Sequence, residues 1–271
     1  TFRLGETTRQ TGMLFSAQTA SMFAGFAASI ILGRWMDPGE MGRFAFCLSI
    51  IVVTSLFFEL GISSAGARVL ALTGDRASER QALGALVLMT IAICLTFSLF
   101  LVAAAKPIDL IFDKDVRWLF ISTAALAFFQ PLQLFIEQVC QGLNQIRTLS
   151  VFQLTMSGCN LLGLILLVAT HRLTAGTALG AYLAGIAVSS VWTIIRMQPS
   201  FRNVSRYVKQ TLHETRGYGF NLYIARISGM ASSRSDQLAI GYFLSGTASL
   251  LGPQQAGGIA WWAHIGGFGA G

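Results

Sequence analysis

Among the charged side chains that fall within apolar stretches of this sequence, the candidates for chemistry are Glu59, Glu137, Arg226, Arg234 and Asp236. A charge near the centre of a bilayer costs about 2.5–3.5 kcal/mol on insertion scales, so such residues face a bundle interior or a hydrated cavity. Arg226 is the sharpest of them. A helix starting at Gly219 would carry it about 10 Å inward at the usual rise per residue, with Tyr223, Gly229, Ser233 and Gln237 on the same face. Such a polar stripe suits the wall of a chamber open to the cytoplasm. Two chemistries fit Arg226. A guanidinium in a low dielectric is suited to a bidentate hold on phosphate or pyrophosphate; the same group could instead close an internal salt bridge with Glu59 or Glu137. Glu59 and Glu137 stand evenly between substrate contact and packing. Arg234 completes the candidate substrate-binding set with Arg226, Glu59 and Glu137, although Asp236 is close enough in sequence to neutralise it.

His264 raises a different chemistry. It lies in AGGIAWWAHIGGFGAG, residues 256–271, where an imidazole base would need a serine within hydrogen-bond reach, normally presented by a G-x-S-G stretch on a neighbouring helix. GISSAG at 61–66 lacks the glycine directly after its first serine, and Ser157-Gly158 and Ser228-Gly229 lack the leading glycine. No nucleophile is recognisable, so the preferred reading is a packed or interfacial histidine beside Trp261 and Trp262 at the headgroup belt. His171 and His213 fall in separate loops, and Cys47, Cys94, Cys140 and Cys159 sit in apolar runs without CxxC spacing. Neither metal site, disulfide nor cofactor is implied.

The elements that must position these groups are membrane helices. The chain is 54% hydrophobic and 11% charged, against about 25% charged in soluble domains. Apolar runs at 12–33, 44–70, 82–105, 119–140, 148–170, 175–195 and 219–244 each reach the roughly 20 residues a crossing needs. The expected fold is therefore an all-α integral membrane bundle of about seven spanning helices plus a short tail helix. The first run is longer than a signal peptide's 7–15-residue core, which predicts a retained helix. With the N-terminus inside, eleven Lys and Arg fall in cytoplasmic segments and six in outer loops, the bias that orients membrane proteins. Orientation thus accounts for the net charge of +7 better than nucleic-acid binding does.

Gln130-Pro131 should loosen a turn of the fourth helix, as a hinge or a fixed kink. Gly176, Gly180 and Ala184 form a small-residue ridge for helix contact. The stretch 196–218 places Phe201, Val204, Val208 and Leu212 on one stripe with Arg202, Arg206 and Lys209 elsewhere. That pattern fits an interfacial helix on anionic membrane lipids, or equally a solvated linker.

A weak collinear repeat relates TRQTGMLFSAQTASMFAGFAASIILG (8–33) to TRGYGFNLYIARISGMASSRSDQLAIG (215–241). Such repeats place a second bundle after the first with a substrate site between them; shared helix-start residues are the alternative. The repeat divides the chain into a six-helix bundle (1–195), a cytoplasmic amphipathic linker (196–218), the first helix of a second bundle (219–246) and a tail (247–271).

RWMDPGEMGRFAFCLSIIVVTSLFFELGISSAGARVL (34–70) and SRSDQLAIGYFLSG (233–246) resemble the first loop, second helix and seventh helix of bacterial polysaccharide and O-antigen flippases of the multidrug/oligosaccharidyl-lipid/polysaccharide superfamily. The residues that carry the likeness are Asp37, Pro38, Glu40, Gly42 and Phe44, followed by Glu59-Leu60-Gly61. The resemblance covers about residues 1–246. It implies a non-enzymatic carrier in the bacterial inner membrane that moves a polyprenyl-pyrophosphate-linked glycan by alternating access of two bundles, with polysaccharide-assembly enzymes as neighbours. Its pyrophosphate-binding role falls first on Arg226 and then on Arg234. PQQAGGIAWWAHIGGFGAG (253–271) is similar to the last catalytic helix of rhomboid intramembrane proteases. Under that alternative alone His264 would be catalytic, and a non-transporting membrane scaffold is the third reading.

Overall fold

The computed structural model describes residues 4–112 and 116–229. Arg234, Asp236, Trp261, Trp262 and His264, with the expectations attached to them, lie outside the described residues. Among the described residues nine α-helices follow in chain order: α1 Leu4–Trp35, α2 Pro38–Glu59, α3 Ile62–Ala71, α4 Arg76–Phe112, α5 Arg117–Ala127, α6 Gln130–Gly142, α7 Ile146–Ala169, α8 Ala175–Met197 and α9 Val204–Glu214. A π-helical turn, Thr215–Gly219, leads without a break into a tenth helix, α10, described over 220–229.

Among the described residues six helical spans are long and apolar enough to cross a membrane, α5 and α6 together making one of them. The protein is a multi-pass membrane protein. The surfaces of the spans invert the soluble pattern, with Phe15, Phe23, Leu99, Leu166 and Ile195 exposed where lipid replaces water. Several hydroxyls inside the bundle bond back along their own helices, as Thr90, Ser189 and Thr193 do to the carbonyls of Leu86, Gly185 and Ser189 at 2.8–2.9 Å. That arrangement satisfies a polar group where no water can.

Two expected spans are interrupted. The run at 44–70 divides into α2 and α3 because Leu60 and Gly61 take left-handed backbone at φ 49° and 75°. The run at 119–140 divides at Phe128-Phe129 into α5 and α6, with Pro131 in the first turn of α6, where its missing N–H leaves no helical bond unmade. The Gln130-Pro131 signal therefore marks the start of a helix.

Three apolar clusters of described residues hold the bundle. One gathers Leu86, Phe135, Ile136, Val139 and Phe152. A second gathers Phe46, Ile51, Phe97, Phe120, Leu179 and Leu183. A third seals α1 against α7 and α8 through Ala28, Leu32, Leu164 and Ala178. The α7–α8 contact runs through other small residues than expected. Gly176 and Gly180 have open space where a Cβ would stand, whereas Gly185 lies against Met156 O and Asn160 N, and Gly163 against Ala181. The apolar face of α8 that meets α7 is rotated away from the predicted ridge.

The amphipathic segment docks on the bundle. Ser200 N donates to Arg80 O at 2.8 Å, Arg80 Nε to Gln198 O at 2.9 Å, and Asn203 Nδ2 to Gln81 Oε1 at 3.1 Å. These bonds strap the connector across the first turns of α4. Val204 and Val208 face inward with Tyr207, and Thr211 is buried beside them, at the spacing of one helical face. Phe201 precedes the helix, so it leaves the predicted stripe, and both it and Leu212 are exposed.

The acidic pair of the first loop has a packing role. Asp37 precedes Pro38 in extended backbone and starts α2. Glu40 Oε2 accepts from Ala175 N at 2.7 Å at the start of α8, while Arg43 holds its other oxygen at 3.2 Å. A carboxylate at a helix N-terminus offsets both an orphan donor and the helix dipole. Glu40→Ala should lower stability by about 1 kcal/mol, read as a lower unfolding midpoint in detergent, and Glu40→Gln should recover part of the loss.

Candidate functional site

The α2–α3 break creates the site. Ending α2 at Glu59 with left-handed Leu60 leaves the last carbonyls of α2 without intrahelical donors. Tyr223 Oη of α10 donates to one of them, Phe57 O, at 3.2 Å. Gly61 and Gly219 lie backbone to backbone: a Cβ on Gly61 would overlap the Gly219 carbonyl, and one on Gly219 would stand 2.6 Å from Gly61 O. Two facing glycines are what allow α10 to approach the break this closely.

That approach delivers Arg226 to Glu59. Arg226 Nη1 lies 3.1 Å from Glu59 Oε2 and 3.3 Å from Oε1. With the Gln138 amide oriented so that its oxygen faces the guanidinium, it accepts from Nη1 and Nη2 at 3.1 Å each. Its nitrogen then stands 3.4 Å from Ser64 Oγ. Glu59 is 3% exposed, and the Arg226 side chain retains 24% of its exposure. The carboxylate is thus enclosed while part of the guanidinium stays accessible. Of five guanidinium donors, those on Nη1 and one on Nη2 are engaged. The Nε–H and the remaining Nη2–H form the side-on fork and have no bond among the described residues.

Glu137 lies alongside on α6, close enough to feel the Arg226 charge, but its hydrogen bond is to Gln133, whose Nε2 donates to Oε1 at 3.0 Å. Gln130 Nε2 in turn donates to Gln133 Oε1 at 3.3 Å. One face of α6 therefore carries a hydrogen-bonded row of two amides that ends at the Glu137 carboxylate. Gln130, Gln133 and Gln138 were missed in the sequence, although QPLQLFIEQVCQG holds four glutamines within a membrane run, each costly to bury without a partner. A second link to α3 lies farther along: Arg68 sits 3.5 Å from Glu214 and stacks 4.6 Å over the Tyr218 ring.

So Arg226 and Glu59 are brought together and Glu137 is placed next to them, while Arg234 lies outside the described residues. No group of three His, Cys, Asp or Glu suited to a metal ion occurs among the described residues.

Residues 7–263 match the family described as polysaccharide biosynthesis protein. The chain belongs to that family. The match takes in residues 253–263 of the rhomboid-like tail and stops one residue before His264. No curated protein matches the sequence. Among solved structures, this member of the polysaccharide biosynthesis family is similar to an inward-facing multidrug-resistance MATE family transporter of the MOP superfamily, at TM-score 0.58 and 18% identity over 90% of this chain and 56% of that one. It is also similar to the Vibrio cholerae MATE transporter VcmN in its bent form, at TM-score 0.58 and 14% identity over 97% and 69%. A MOP superfamily transporter from Pyrococcus furiosus, whose binding pocket is described as reversed in polarity, matches at 0.57 and 14% over 96% and 61%. At these identities the likeness establishes the fold. The chain spans little more than half the length of the first of these transporters.

Proposed function

We propose that this chain is the first part of a carrier that moves a polyprenyl-pyrophosphate-linked glycan across the bacterial inner membrane by alternating access. Residues 1–195 form its first six-helix bundle, 196–218 the cytoplasmic linker and 219–246 the opening helix of the second bundle, with the N-terminus inside. Arg226 contacts the pyrophosphate with Glu59 as its counter-ion, Glu137 stands beside that pair, and Arg234 is a further candidate contact. Family membership supports the substrate class. The observation that carries the reading is the uncommitted side-on fork of Arg226 on a partly exposed side chain at the meeting of α10 with the first bundle. That fork matches the geometry of two phosphate oxygens, and Glu59 keeps the guanidinium oriented while it is empty. On the linker, exposed Arg202, Arg206 and Lys209 with Phe201 and Leu212 suit anionic lipid headgroups at the cytoplasmic leaflet.

The test follows a fluorescent lipid-linked oligosaccharide between leaflets of proteoliposomes. Wild-type protein should move it once the second bundle is supplied. The double variant Glu59→Gln/Arg226→Met removes both charges of the pair and leaves Glu137 with its Gln133 hydrogen bond, and it should move the lipid at least about tenfold more slowly, equivalent to about 1.4 kcal/mol. Equal rates would remove Arg226 from the transport path.

A further inference from the structure

The geometry points to a hydroxyl-recognition track along α6, in which Gln130, Gln133 and Glu137 engage the sugar rings of a glycan whose phosphate end lies at Arg226. This rests on the pyrophosphate reading of Arg226 and assigns the part of the ligand that reading leaves without contacts.

Gln130, Gln133 and Glu137 follow at spacings of three and four, one helical face. Their hydrogen bonds all run in one direction, from Gln130 to Gln133 at 3.3 Å and from Gln133 to Glu137 at 3.0 Å. The row is incomplete at its far end. Gln130 is 3% exposed, and its Oε1 is buried with no hydrogen-bond partner among the described residues. Buried amide oxygens are almost always paired, so this one marks a place where a donor belongs. Each amide nitrogen carries two hydrogens, and one on each glutamine is used within the row. The track therefore offers spare donors and spare acceptors in alternation over about 10 Å of helix.

That mixture selects the ligand. An anion would meet the Glu137 carboxylate, and a cation would meet the amide hydrogens. A hydroxyl both donates and accepts, and a row of hydroxyls on a neutral sugar satisfies the track without a charge conflict. Arg226 and Gln138 sit at the Glu137 end, which sets phosphate at that end and sugar along the row.

Two probes separate the parts: polyprenyl pyrophosphate bearing a short neutral oligosaccharide, and the same lipid without sugar, each titrated onto the full chain in nanodiscs. Gln130→Met and Gln133→Met keep the side-chain length and remove the polar atoms. Each should weaken the glycosylated lipid by about tenfold or more and leave the bare lipid within about twofold, since only the first touches the track. Unchanged affinity for the glycosylated lipid overturns the inference, and so does an equal loss for both lipids, which would mean that the row only holds α6 in place. If a methionine variant is not recovered folded, Gln133→Asn keeps an amide with shorter reach and should show the same split. Glu59→Gln/Arg226→Met reads the underlying assignment: it should weaken both lipids together. If the bare lipid ignores it while the glutamine variants still split the probes, the phosphate reading fails and the track stands. If wild-type protein binds neither lipid, both fall.

Discussion

Arg226→Met is expected to cost the fold about 3–5 kcal/mol, the usual penalty for removing one partner of a buried ion pair. The reason is the unequal enclosure of the two groups. Glu59 is 3% exposed, so without its guanidinium the carboxylate keeps its desolvation cost and loses its compensation. The reverse deletion should be milder. In Glu59→Gln the guanidinium still has the Gln138 oxygen at 3.1 Å from both terminal nitrogens, and 24% of its side-chain surface remains accessible. Unfolding midpoints in detergent should therefore fall most in Arg226→Met, less in Glu59→Gln, and recover in part in the double variant, where neither member of the pair is left without the other. Binding should order differently. Glu59→Gln strips a competing negative charge from Arg226 and should tighten the hold on bare polyprenyl pyrophosphate. If Glu59→Gln is instead the more damaging deletion and binds that lipid no better, Glu59 is not a counter-ion held against the guanidinium.

The sequence was legible where membrane chemistry leaves few choices. Long apolar runs separated by charged loops have one stable form in lipid, so four of the six spans of the described residues fall within two residues of the predicted limits, while the second stops at Glu59 and the third, Arg76–Phe112, outruns its predicted ends on both sides; the pairing of Arg226 with Glu59 was one of the two chemistries its composition allowed. The interruptions were harder to see. GISSAG gives no sign in its residue types that Leu60 would accept left-handed backbone, because that conformation is imposed by the partner: only with Gly219 pressed against Gly61 does the break have something to receive. The α6 row was hidden for another reason. Glutamines in an apolar run look like isolated costs until the helix start at Gln130 fixes their register, and the predicted stripe on α9 failed similarly because its first residue lies outside the helix. The π turn at Thr215–Gly219 has the same character, since a one-residue insertion that turns α10 relative to α9 leaves no compositional mark.

The largest structural effect should come from the smallest side chain. In Gly61→Ala the new methyl would overlap the Gly219 carbonyl, and backbone at φ 75° is itself disfavoured for alanine by roughly 1 kcal/mol. Overpacking of this kind costs about 1–3 kcal/mol where side chains can give way, but here the obstruction is backbone and the helix must move. Displacing α10 separates Tyr223 from Phe57 O and Arg226 from Glu59 at once, so the loss should exceed that of Arg226→Met. Leu60→Gly is the control, since Leu60 shares the left-handed backbone and is 52% exposed; glycine there relieves strain against added chain entropy, and the midpoint should barely change. A double-mutant cycle decides whether the crossing and the ion pair are one device. If Gly61→Ala already opens the contact, adding Arg226→Met should cost far less than it does alone, because Glu59 has by then lost its partner. Fully additive losses would mean that the guanidinium reaches Glu59 without help from the glycine crossing.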